Sequence, residues 1–207
     1  MIDYNTVRDI YNSRKYLLEI LETRNFNVDD YNNFTFNELA VQYESNQLDL
    51  LLSDKTNKKI YVKYYISKNL KSQNIYDLVN DLHNLEEILT NSDDLIIIIN
   101  DEPNDTIKQT VKDIYIANKI YISVINIKRL QFNILKHVMV PNHTVLDNEQ
   151  SIEVKKKYNI LNDNQIPDIS YFSPVSLVLG IRPGDLVKID RKSKTAINSE
   201  FYRICKI

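Results

Sequence analysis

Three sets of residues in this chain have the types and spacing to do chemistry. The first is Asp49 with Tyr61-Val62-Lys63. A metal-dependent nuclease needs an acid on one strand and an acid-x-Lys on the next. The two carboxylates hold a divalent cation, and the lysine steadies the attacking water. Asp49 and Lys63 stand at two of those places, but Tyr61 stands where the second carboxylate belongs. A phenol does not replace a carboxylate as a Mg²⁺ ligand. The pattern predicts a domain that lacks nuclease activity.

The second set is "LGIRPGDLVKIDRKSKTA", which holds Gly180 and Gly184, the only glycines of the chain. A phosphate-gripping loop places glycines after a strand and before a helix, so that backbone N–H groups face the anion. The order here is the reverse. Ser173-Pro174 reads as an N-cap with proline at the first helical position. Gly180 falls where a helix needs a left-handed terminator, and Pro183-Gly184 occupy the centre of a type II turn. Both glycines therefore read as punctuation between a helix and a strand.

The third set is His137 and His143, six residues apart around "VMVPN". On one strand they would share a face, but no further Cys or His completes a zinc site, and Asp147 and Glu149 read as caps. No Ser/His/Asp or Cys/His set announces itself. His83 stands apart, and Cys205, the only cysteine, reads as an ordinary strand residue near the C-terminus.

These residues must be positioned by the elements around them. Val7, Ile10, Tyr11, Leu17, Leu18 and Leu21 recur at helical spacing, and Thr35 with Glu38 forms a capping-box pattern ahead of a second helix. "LDLLLSDKTNKKIYVKYYI" predicts two strands and a polar turn, with Ile60, Val62, Tyr64 and Ile66 on one face. Helical spacing returns from Ser72 to Leu89 through Ile75, Tyr76, Val79, Leu82, Leu85 and Leu89. "DLIIII" predicts a strand buried on both faces. A helix over 104–118 and the strand "KIYISVINI" follow. This order predicts an α/β N-terminal domain over 1–135 with a restriction-endonuclease-like layout.

Beyond residue 135 the character changes. "KHVMVPNHTVL" reads as extended, and Asp147 with Gln150 caps a helix through "SIEVKKKYNIL". After "NQIPDI" and a short helix come strands over 185–190 and 201–206. This predicts a small α+β domain over 136–207. A core that thin is helped by docking on a partner.

Composition sets outer limits. The chain has 207 residues and a net charge of -2, divided as -5 over 1–135 and +3 over 136–207. Neither half is a strong polyanion-binding patch by charge alone. The basic runs Lys155–Lys157 and "IDRKSKTA" read first as solvated faces and second as contacts to acidic protein or phosphate backbone. The longest apolar run, 95–99, is far short of the ~20 residues of a membrane span. The charged start has no signal-peptide pattern, and one cysteine fits a reducing compartment. Twenty-five asparagines and two glycines suggest an AT-rich source genome.

Taken together, "LKHVMVPNHTVLDNEQ", "NDNQIPDI" and "SPVSLVLGIRPGDLVKIDRKSKTA…YRICKI" resemble the fifth subunit shared by the nuclear RNA polymerases, a family with an archaeal counterpart. That family reads "VP-H", "QLPRI", "DPVARY-GL-RGQVVKI-R-SETAG" and a final "YR". The matches are Val140, Pro141 and His143; Gln165, Ile166 and Pro167; Pro174 and Val175; Gly180; Gly184 with Val187, Lys188 and Ile189; Arg191; Ser193; Thr195 and Ala196; and Tyr202 with Arg203. More loosely, "SRKYLLEILETRNFNVDD" and "FTFNEL" are similar to the family's opening helices. The chain departs from the pattern at Ser173, Ser176, Lys194 and Ile197, where "DPVARY" stands as "SPVSLV" and "SETAG" as "SKTAI".

The resemblance implies a non-catalytic subunit of a multisubunit DNA-directed RNA polymerase. It implies a C-terminal assembly domain docked on the largest subunit and an N-terminal domain in the lower jaw near downstream duplex. Contact there is expected with phosphate backbone and without sequence readout. The interface residues it implies are Pro141, His143, Pro174, Gly180, Arg182, Gly184, Lys188, Arg191, Ser193, Thr195, Tyr202 and Arg203. It singles out no DNA-facing residue, and implies no cofactor, metal, membrane or homo-oligomer. The expected location is intracellular: the nucleus, or a cytoplasmic virus factory and virion if the source is a large DNA virus. The alternatives are a nuclease or resolvase built on the N-terminal domain, and a free-standing mimic that regulates the polymerase.

Overall fold

The structure is a computed structural model that describes residues 4–193 and 196–207. The chain divides into two compact units, 1–133 and 134–207, so the boundary lies two residues ahead of the expected one.

The first unit opens with helix α1, Tyr4–Thr23. Val7, Ile10, Leu17, Leu18, Ile20 and Leu21 are buried along it, at the spacing of a single helical face. Helix α2, Phe36–Glu44, begins at the Thr35/Glu38 capping box. The Glu38 amide donates to Thr35 Oγ1 at 3.3 Å, and the Thr35 amide donates back to the Glu38 carboxylate at 2.8 Å.

Strand β1 is Leu50–Ser53 and β2 is Lys59–Tyr65. They pair antiparallel with Leu50 opposite Val62. In β2 the residues Ile60, Val62 and Tyr64 are buried and alternate with half-buried neighbours, the period-2 pattern of the sequence. Strand β3, Asp94–Ile99, and β4, Tyr121–Asn126, are buried at every position. Both are parallel additions, giving the order β1-β2-β3-β4. Parallel neighbours need crossovers. Helices α3, Ser72–Asn80, and α4, Asp105–Asn118, supply them.

One element of the first unit differs from its prediction. The helix expected through Leu89 stops at Asn80 and passes into a wide π turn over Asp81–Leu85. Leu85, expected inward, is 71% exposed, while Leu82 and Leu89 are buried. The wide turn changes the rotation per residue, so the regular spacing no longer points Leu85 at the core. Glu87 then takes a left-handed φ of 51°.

The second unit is built on a mixed sheet of order β5-β7-β8-β6. Its strands are β5, Asn142–Val145; β6, Asp168–Ser170; β7, Leu186–Arg191; and β8, Ser199–Lys206. Helix α5, Asn148–Lys157, starts from the Asp147/Gln150 capping box. Helix α6, Pro174–Leu179, is one and a half turns long. One hydrophobic cluster joins Ile166, Leu186 and Ile204, with Leu146, Val154, Ile160 and Tyr202 packed against it, and Tyr171, Leu177, Val178, Ile181, Val187, Ile189 and Cys205 are also buried.

Candidate functional site

The β1–β2 pairing sets Lys63 opposite the residue that enters β1. That residue, Asp49, lies just ahead of the strand and not within it. Its carboxylate receives the Lys63 ammonium at 2.5 Å and the Tyr61 hydroxyl at 3.0 Å. The three residues that the sequence placed at nuclease positions are therefore together in space. Their chemistry is closed: the one carboxylate is neutralised by the lysine and bonded by the phenol. Burial, and then the Asp49 charge, push the Tyr61 pKa far above that of an ordinary phenol, so it remains a donor. Among the described residues, no three His, Cys, Asp or Glu side chains are grouped to hold a metal.

The glycine segment is built as a connector. Ser173 caps α6 by accepting from the Ser176 amide at 3.2 Å, with Pro174 at the first helical position. A serine thus performs the N-cap role at the position where the family pattern has aspartate. Its hydroxyl also lies 2.8 Å from that of Ser176. Gly180 ends the helix at φ 71°, ψ 36°. The Asp185 amide donates to the Arg182 carbonyl at 3.0 Å across Pro183-Gly184, and Gly184 has φ 97°. That is a type II turn, with the positive φ at its third residue. A helix ends at the first glycine and a strand follows the second, the reverse of the order a phosphate cradle needs.

His137 and His143 do not share a strand. His137 lies in a turn over 137–140, and His143 lies in β5, its Nδ1 2.7 Å from the Pro141 carbonyl. Proline at 141 keeps the preceding segment out of the ladder. The turn leaves Val138 98% and Met139 81% exposed. Two large apolar side chains stand in water where the sequence suggested an extended strand.

The expected interface residues divide between two faces of the β5-β7-β8 sheet. Lys188 and Tyr202 are cross-strand partners, so they share a face. There Lys188 bonds Glu200 at 2.6 Å, the Tyr202 hydroxyl donates to the same carboxylate at 3.0 Å, and the Tyr202 ring meets Tyr158. His143, Arg191 and Arg203 alternate to the opposite face. Arg191 lies over the Phe201 ring, and Arg203 donates to the Asp168 carbonyl at 2.7 Å. Pro141 precedes β5, Pro174 opens α6, Gly180 ends it, Arg182 and Gly184 form the turn, and Ser193 follows β7. Thr195, like Lys194, lies outside the described residues. Among the described residues, the five members of the set that lie on strands are thus split between the two faces of the sheet. Several of its members hold their own unit together.

Sequence reasoning passed over a further place. Arg14, on α1, is 3% exposed, and the charge influences on it come from the Tyr64 and Tyr31 phenols and from no carboxylate among the described residues. The helical period marks it as inward beside Leu17 and Leu18, which was the available sign.

The chain matches the family model described as RNA polymerase Rpb5, C-terminal domain, over residues 132–205. It is 43% identical over 74 residues to DNA-directed RNA polymerase subunit Rpo5 of Thermococcus kodakarensis, covering 36% of this chain and 89% of that protein. It is 41% identical over 75 residues to the Rpo5 of Archaeoglobus fulgidus, covering 36% of this chain and 97% of that protein. A looser likeness spans nearly the whole chain: 26% identity over 205 residues to the Dictyostelium discoideum protein named DNA-directed RNA polymerases I, II, and III subunit rpabc1, covering 99% and 100% of the two. The second unit, with its glycine-punctuated turn and paired β7 and β8, carries the strong likeness. By that likeness the chain belongs to the Rpb5 family of DNA-directed RNA polymerase subunits.

Proposed function

We propose that this chain is a structural, non-catalytic polymerase subunit whose second unit docks on the largest subunit and whose first unit forms part of the lower jaw near downstream DNA. Nucleotide addition and its Mg²⁺ then belong to the large subunits. The observation that carries the reading is the likeness to rpabc1, which runs through both units and not the second alone.

The first unit argues against the nuclease alternative by its chemistry. It has an antiparallel pair followed by two crossover strands, which we read as a restriction-endonuclease-like layout. Its one acid at the expected site is bonded to Lys63 and Tyr61. The runner-up, a nuclease or resolvase, would need a second carboxylate there. In the second unit, Val138 and Met139 offer apolar surface of the kind that partner subunits bury. Duplex contact in the jaw is to phosphate backbone.

The test is affinity purification of the tagged full chain from its native cells. Stoichiometric recovery with the two largest polymerase subunits is expected. Recovery without them would overturn the core-subunit reading and favour a free-standing mimic.

A further inference from the structure

Two arginines of the second unit, Arg191 and Arg203, share one side of its sheet. Strand pairing lays that side out in tiers. Val145, Val187 and Arg203 stand abreast, and His143, Ile189 and Phe201 stand abreast in the next tier. Arg191 and Ser199 follow beyond them. Val187 and Ile189 are buried and form the floor, while Val145 and Phe201 are 39% and 45% exposed. Both arginines are exposed. Arg191 lies 5.2 Å from the Phe201 ring centroid, and Arg203 donates to the Asp168 carbonyl at 2.7 Å. Among the described residues, neither arginine forms an ion pair. On the opposite side the charges are matched, Lys188 with Glu200 and Asp190. Alternation puts one acid on the arginine side, Asp185 at its turn end, and its carboxylate already accepts the Arg182 amide at 2.7 Å.

Exposed arginines beside apolar side chains, with no carboxylate set against them, form one half of a complementary interface. Arginine and aromatic residues are also the types that concentrate binding energy at protein contacts. Their spacing describes the other half. Arg203 and Arg191 lie two tiers apart, which is about 13 Å along the strands, with Phe201 and Ile189 between them. An extended chain presents one face at every second residue. Acids at its first and fifth positions would meet the two guanidiniums, and an apolar residue at its third would lie on Phe201 and Ile189. Nucleic acid fits less well. Phosphates offer nothing to cover Val145 and Phe201, and the net charge over 136–207 is only +3.

We propose that the second unit docks through this side of its sheet, and that the occupant is an extended acidic segment of the partner protein with the pattern acid-x-apolar-x-acid. The inference rests on the docking reading above for the partner's identity as a polymerase subunit, and adds the face and the chemistry. It also divides the interface residues that the family pattern implies. Arg191, Arg203 and His143 face the partner. Lys188 and Tyr202, both bonded to Glu200, brace the opposite side.

The test uses the tagged full chain in its native cells, as wild type and as three double variants. Arg191→Lys with Arg203→Lys keeps both charges and supplies amines that a carbodiimide couples to carboxylates in contact with them. Cross-links from both positions to acids of one partner segment, with an apolar residue between those acids, are expected. Arg191→Glu with Arg203→Glu is expected to lower co-recovery of the two largest polymerase subunits by about tenfold or more. Lys156→Glu with Lys157→Glu, exposed on α5, is expected to leave it unchanged. Arg203 also bonds backbone of its own unit, so charge reversal could unfold the unit; the lysine pair decides in that case. No cross-link from either position, undiminished co-recovery after charge reversal, an equal loss in the α5 variant, or release of the partner by nuclease overturns the proposal. Recovery of the wild type without the two largest subunits overturns the polymerase docking reading instead. Cross-links from positions 191 and 203 to an acidic segment of another protein would then still support the face assigned here.

Discussion

The Lys63 ammonium lies 2.5 Å from the Asp49 carboxylate, across the first antiparallel pair of the sheet. Both side chains are a quarter to a third exposed, so the pair contributes little to stability, about 0–1 kcal/mol. Its consequence is chemical. The carboxylate that a metal would need is already neutralised, and the Tyr61 hydroxyl takes a further lone pair. Purified chain incubated with duplex DNA and Mg²⁺ or Mn²⁺ is expected to leave the DNA intact. Cleavage that disappears in Asp49→Ala and Lys63→Ala would sink the structural reading of this unit.

Gly180 holds a left-handed φ of 71° at the end of α6. A β-branched side chain there costs roughly 1–2 kcal/mol in backbone strain, a large fraction of what a core this thin supplies. Gly180→Val is expected to lower the thermal midpoint of the second unit and to reduce co-purification with the polymerase. At Gly184, φ is 97° and a methyl group in place of the α-hydrogen would meet open space, so Gly184→Ala tests backbone strain alone. Undiminished assembly of both variants would show that neither position needs glycine.

His83 sits in the π turn with both ring nitrogens buried and unpartnered. Burial lowers its pKa from 6.5, with the Asp93 charge and the Leu89 backbone opposing. The unfolded chain therefore binds a proton more readily than the folded one. Stability from this group is present above pH ~6.5 and is lost as pH falls. The urea midpoint of the wild type is expected to drop more steeply below that pH than that of His83→Gln. Parallel pH profiles would show that the ring finds a partner on protonation.

Cys205 is 2% exposed in β8, and its Sγ faces the Ile181 carbonyl at 3.9 Å. Burial pushes its thiol pKa up to about 12, so almost no thiolate is present at neutral pH. Labelling by a disulfide reagent at about pH 8 is expected to be slow in the folded chain and fast in denaturant. Prompt labelling of the native protein would mean that the end of β8 opens readily.

Local order was legible wherever one residue type has one use. Thr35 with Glu38 and Asp147 with Gln150 announced the starts of α2 and α5, because a capping box bonds neighbours in sequence. Alternation gave β2, and the unbroken apolar run gave β3. Gly180 and Gly184 announced a helix stop and a turn, since positive φ is what glycine alone adopts freely. The family followed from the same kind of information, an ordered string of small matches between Val140 and Arg203.

Long-range placement was not legible. The hairpin pattern grouped Asp49 with Tyr61 and Lys63, but that all three bond depends on the strand register, and a slip of one residue would turn Asp49 to the other face. The π turn at Asp81–Leu85 breaks a helical period that the apolar spacing continues, and tertiary packing chose the break. The interface residues implied by the family pattern form one string in sequence, yet strand alternation sends Lys188 and Tyr202 to one face and His143, Arg191 and Arg203 to the other. Arg14 reads as one more inward position of α1. Only the folded chain surrounds its guanidinium with Phe34, Tyr31 and Gln42 and leaves Nε without a partner. Sequence determined the local turns, caps and kinship because those rest on bonds between near neighbours. The tertiary structure decided which charges meet and which stay uncompensated, because that depends on residues brought together from distant parts of the chain.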